Sequence, residues 1–89
     1  MSDFLYQRHY LKGGDVVVLN CDTQCNFILV DDNNFHHYKN DNSFYQAEGS
    51  GFFKYFPAQI VVPHTGYWIA VLDLGGGSAN IKYSFSFIT

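Results

Sequence analysis

The chain is poor in charge. Asp, Glu, Lys and Arg make up 15% of its 89 residues; five are Lys or Arg and eight are acidic, for a net charge of −3. Binding a phosphate backbone needs clustered cations, so nucleic acid is not an expected partner. Long hydrophobic runs are also missing. The longest, Phe27 to Val30 and Trp68 to Leu72, have four and five residues, against the ~20 that span a bilayer as a helix. No membrane partner is expected. The start, Met1-Ser2-Asp3-Phe4, lacks a basic segment leading into an apolar one, so no signal peptide is read and the cytoplasm is the expected compartment. Two cysteines are too few for a disulfide scaffold.

Aromatic residues are abundant: nine Phe, seven Tyr and one Trp, or 19% of the chain, within a hydrophobic content of 47%. That content excludes a disordered chain. The length allows a single domain, residues 1–89. A domain this small hides only about 60–65% of its unfolded surface. Its core cannot enclose every ring, so some must lie against a ligand, a second copy or another protein.

The chain reads as short strands between turn signals. Phe4 to Leu11 is an aromatic-rich first strand. Lys12-Gly13-Gly14-Asp15 is a turn, because glycine reaches positive φ freely and Asp bonds nearby backbone. Val16 to Leu19 is β-branched and stiff. A three-residue link, Asp22-Thr23-Gln24, leads to Cys25 to Val30, which is hairpin spacing. Asp31 to Asn34 caps a short helical turn, Phe35 to Tyr38. Ser43 to Ala47, Gly51 to Phe56, Gln59 to Val62 and Tyr67 to Leu74 follow as strands. After the glycine-rich loop 75–80, Ile81, Tyr83, Phe85 and Phe87 alternate with polar residues, which predicts a final strand closing a hairpin. No helical period is present. The fold class expected is all-β: an antiparallel sandwich of seven or eight short strands, jelly-roll or immunoglobulin-like, with at most one short helical turn. Trp68, in an apolar strand, is expected to anchor the core.

No constellation of reactive residues stands out. Cys21 and Cys25 have the spacing of one half of a zinc site, but no second half. Buried thiols are the expected reading; a reversible disulfide and a metal are alternatives. Asp31, Asp32, Asn33, Asn34, Asp41 and Asn42 are oxygen-rich, yet lack the spacing of a calcium loop, and turn chemistry accounts for them. Gly75-Gly76-Gly77-Ser78 is followed by a strand, not the helix of a phosphate loop. No Gly-x-Ser-x-Gly elbow exists. No catalytic residue, metal or cofactor is therefore expected.

The longest break between clear strands, Asp31 to Tyr45, is where a functional surface is expected, since loops commonly display function. The candidate binding residues are Asn34, Phe35, His36, His37 and Tyr38: rings that stack, amides that bond, and imidazoles that charge near pH 6.5. Inward packing of Phe35 and Tyr38 is the competing reading.

Several stretches together resemble a bacterial family known as domain of unknown function 1883. They are Gly14 to Val18, Gln24-Cys25-Asn26, Asp31 to Phe35, Phe56-Pro57-Ala58, Val62 to Trp68 and Asp73 to Ile81. The resemblance runs from about Phe4 to Phe87 and weakens over Lys39 to Gly51. It implies a small β domain, which some relatives carry beside a Toll/interleukin-receptor-like domain. No catalytic residue carries over. The resemblance and the aromatic surplus lead to one expectation: a non-enzymatic module that binds a protein partner or itself, in bacterial defence or signalling. A receptor for a small ligand, such as a sugar or nucleotide-derived signal, is the alternative; an uncharacterised hydrolase is the third.

Overall fold

A computed structural model describes residues 4–40, 42–74 and 81–88. In chain order its elements are β1 (Phe4–Leu11), β2 (Val16–Cys21), β3 (Cys25–Asp31), α1 (Asp32–Lys39), β4 (Gly51–Phe53), β5 (Ala58–Val61), β6 (Gly66–Asp73) and β7 (Tyr83–Ile88). The strands form two antiparallel sheets, β1-β6-β3-β4 and β5-β2-β7. This is the all-β sandwich the sequence predicts.

Side chains alternate across each strand, and the alternation builds two cores. Between the sheets lie Val17 and Leu19 of β2, Cys25, Phe27 and Leu29 of β3, Ala58 and Ile60 of β5, and Trp68, Ala70 and Leu72 of β6. Trp68 is 5% exposed, and its indole N–H donates to the His64 carbonyl at 2.8 Å. The core position expected for it holds. The other faces of β3 and β6 bury Ile28, Val30, Ile69 and Val71 beneath Phe35 of α1. Being covered on both faces explains why these two central strands read as unbroken apolar runs.

The connections differ from those predicted. β2 and β3 do not pair, and neither do β6 and β7: each couple is divided between the two sheets. Both predicted hairpins are therefore links that carry the chain across the sandwich. A turn signal followed by alternation says that one face is buried; it does not say whether the next strand bonds beside its neighbour or packs opposite it. Among the described residues, β3 and β4 are the consecutive strands that share a sheet, and α1 lies between them. The glycine-rich loop 75–80 lies outside the described residues.

Three element expectations also change. The helical turn is a helix of eight residues. Asp31 caps it, its Oδ1 accepting the Asn34 backbone N–H at 2.8 Å, with Asp32 in the first turn and Lys39 in the last to suit the helix dipole. Ser43 to Ala47 is not a strand; Ala47 reaches the core from irregular backbone, where its N–H bonds the Leu29 carbonyl at 2.8 Å. β4 stops at Phe53. The Lys12–Asp15 turn forms as read: Gly14 has φ +94° and Asp15 Oδ2 accepts the Lys12 N–H at 2.8 Å.

Candidate functional site

The five candidate residues all lie on α1, but they point in different directions. Phe35 is 6% exposed and fills the second core, with Tyr6 at 4.8 Å and Phe4 edge-on at 5.9 Å between ring centroids. Tyr38 is half-buried against Phe4 and Phe44, and its hydroxyl donates to the Asp73 carboxylate. Asn34 donates to Asp31 Oδ1 at 2.9 Å and accepts the Tyr45 N–H at 2.8 Å, so its amide ties the following loop to the helix. His37 is half-buried, and its Nδ1 is shielded with no hydrogen-bond partner among the described residues. His36 is exposed. The inward reading of Phe35 and Tyr38 describes their packing, and His36 is the member of the five that faces solvent most openly.

The oxygen-rich cluster is occupied by structural work. Asp31 caps α1 and Asp32 pairs with Arg8; Asp41 lies outside the described residues. Among the described residues, no three His, Cys, Asp or Glu side chains gather as a metal site would require. Cys21 and Cys25 are free thiols at the crossing between sheets. Burial, with the neighbouring Cys21, pushes the Cys25 thiol up to about 12.

A shallow depression of about 330 Å³ opens beside α1, lined among others by Asn34, Tyr45, Gln46, Glu48, His64 and the edge of Trp68. Of the five candidate residues, Asn34 alone lines it.

A second surface was not singled out from sequence. β1 ends the first sheet: one side pairs with β6 along its whole length, and no described strand pairs with the other. On the face turned toward the second sheet, Leu11 is buried and His9 meets Phe87 (4.2 Å), while Leu5 and Gln7 remain exposed. The even-numbered residues of β1, Tyr6, Arg8 and Tyr10, face outward. Tyr6 and Tyr10 are 55% and 59% exposed, and Tyr67, opposite Tyr10, is 49% exposed. Tyr10 and Tyr67 meet edge to face at 5.2 Å. Arg8 lies 4.0 Å over the Tyr67 ring and forks onto Asp32 with bonds of 2.8 and 2.7 Å. That fork raises the Arg8 pKa and lowers that of Asp32, the hydrogen bond being the larger cause in each. The result is an ordered aromatic stripe with one neutralised cation, beside an open strand edge. The signal was present in the alternation of Phe4, Tyr6, Arg8 and Tyr10. The interleaved Leu5, Gln7, His9 and Leu11 made either face a candidate for the core.

These features define a small two-sheet β-sandwich with a helix covering part of one outer face. The model of the family described as Domain of unknown function (DUF1883) matches residues 2–88, and the chain belongs to that family. No curated protein and no solved structure matches the chain.

Proposed function

We propose that this domain is a non-enzymatic protein-binding module, and that a partner adds an extended segment along β1 while packing on Tyr6, Tyr10 and Tyr67. The observation that carries this reading is the state of the sheet edges. Natural edges are blunted by short strands, Pro, Lys or bulges, because unpaired backbone N–H and C=O groups accept any passing strand. β4 has three residues, and β5 has four between Pro57 and Pro63. β7 follows Lys82 and turns polar Ser84 and Ser86 outward. β1 has eight residues, no Pro, Gly or Lys, and one charge that Asp32 already answers. Strand addition draws affinity from main-chain bonds and specificity from alternate side chains, and β1 supplies both. A role within bacterial defence or signalling, in the cytoplasm, is part of this proposal and rests on the family's expected context.

The test is selection of random displayed peptides on the immobilised domain, followed by challenge with a Tyr6→Ser, Tyr10→Ser double variant. Extended, alternately apolar peptides that lose binding to the variant are expected. Peptides indifferent to both substitutions would defeat the reading.

A second reading is favoured by the depression beside α1. Its volume lies at the lower end for small-ligand sites, and amides and carboxylates next to aromatic rings suit a sugar-sized polar molecule. Saturable stabilisation by a monosaccharide panel, lost in Gln46→Ala, would support it.

A further inference from the structure

We propose that the segment added at β1 is the β1 strand of a second copy of this chain, paired antiparallel about a two-fold axis at Gln7. This rests on the strand-addition reading above and names its partner.

The register follows from symmetry and charge. A two-fold axis that joins two strand edges into one continuous antiparallel sheet stands normal to that sheet. It puts like faces on the same side, so even-numbered residues must oppose even-numbered ones. The axis then falls at a residue, and Tyr6, Gln7, Arg8 and His9 are the central choices. An axis at Tyr6 pairs only Phe4 to Arg8, and one at His9 pairs only Gln7 to Leu11. An axis at Arg8 pairs Leu5 to Leu11 but sets two guanidinium groups directly opposite, and like charges there are destabilising. An axis at Gln7 pairs Phe4 to Tyr10 on both copies with no like charges opposed. Gln7 meets Gln7 of the second copy, Tyr6 meets Arg8, Leu5 meets His9 and Phe4 meets Tyr10. Arginine over tyrosine and ring against ring are favourable cross-strand pairs. Arg8 already adopts the first arrangement within one chain, over Tyr67.

The area sets the strength. Tyr6 and Tyr10 are 55% and 59% exposed, which offers about 200 Å² per copy when a whole aromatic side chain buries ~150–250 Å². With Leu5, Gln7, Arg8 and the edge backbone, the contact stays below the ~800 Å² per partner of a standard stable interface. The dimer is accordingly weak and in rapid exchange with the monomer.

Sedimentation of the 89-residue protein from micromolar to millimolar concentration tests the proposal. A reversible monomer–dimer equilibrium is expected. Gln7→Lys, at an exposed site, places two ammonium groups opposite each other and should weaken the dimer at least tenfold without lowering Tm. In a Cys21→Ser background, Gln7→Cys should cross-link into a dimer under mild oxidation, while Gln59→Cys on β5, and the Cys21→Ser chain alone, should not. A chain that stays monomeric at every concentration overturns the second copy as partner. If that monomer still binds selected peptides through Tyr6 and Tyr10, strand addition survives; if it binds none, both fall. A dimer indifferent to Gln7→Lys, or one that Gln7→Cys fails to cross-link, also overturns the proposal.

Discussion

Arg8 on β1 and Asp32 at the start of α1 are joined by two parallel hydrogen bonds of 2.8 and 2.7 Å, and this fork ties the open edge strand to the helix. Both groups are about half exposed, so solvent screens the pair and its contribution is small. The fork holds the Asp32 carboxyl below the ordinary aspartate range. A depressed carboxylate pKa adds stability above the unfolded-state value, and that stability is lost as pH falls through the folded one. Asp32→Asn should therefore lower Tm slightly at neutral pH, and the gap from the unmodified chain should close below about pH 4, the ordinary range for aspartate. Thermal melts across pH 2–7 check this.

Trp68 fills the core between the sheets and also satisfies the His64 carbonyl. Trp68→Ala should cost about 3–5 kcal/mol, much of a small domain's stability. Trp68→Phe, which keeps a ring but loses the indole N–H, should cost less. Urea unfolding followed by far-ultraviolet circular dichroism separates the two.

Phe35 plugs the second core rather than a partner's pocket. Phe35→Ala should lose about 3–5 kcal/mol by the same cavity argument. Amide hydrogen exchange should show α1 loosening before β3 and β6. Retained stability with protection of α1 unchanged would contradict this.

His36 is the exposed member of the five candidate residues on α1. A His36→Ala, His37→Ala double variant is expected to stay folded and to self-associate like the unmodified chain between pH 5 and 8, because α1 meets β1 through Asp32, Phe35 and Tyr38 and the variant keeps all three. A pH-dependent change abolished by the double variant would return the functional surface to α1.

Cys25 is 2% exposed and its pKa is raised to about 12, first by burial and then by Cys21. A raised thiol pKa means little thiolate at neutral pH, and the thiolate is the reactive form. Ellman's reagent at pH 8 should modify one thiol, Cys21, in the folded protein, and the second only after unfolding in guanidinium.

The sequence alone determined the seven strands that form among the described residues and the periodicity that makes them, though not the irregular backbone of Ser43 to Ala47. Val16 to Leu19, the double-sided runs at Phe27 to Val30 and Trp68 to Leu72, and the alternation from Tyr83 to Phe87 are local properties of pleated backbone. So were the Lys12–Asp15 turn and a helix cap somewhere in Asp31 to Asn34, which need only neighbouring residues; the structure decided that Asp31 is the one. Tertiary structure decided which strands share a sheet. The link at Asp22 to Gln24 would suit a hairpin as well as a crossing, and the crossing places Leu19 and Phe27, from opposite sheets, in one core. Tertiary structure also decided which rings lie outside. Phe35 and Tyr10 belong to equally aromatic segments, but Phe35 lands over the central strands β3 and β6, where every face is covered. Tyr10 lands on β1, where the sheet ends and no further layer follows. Burial depends on a residue's distance from the edge of the assembled sheet, and that distance is not a property of any local stretch of chain.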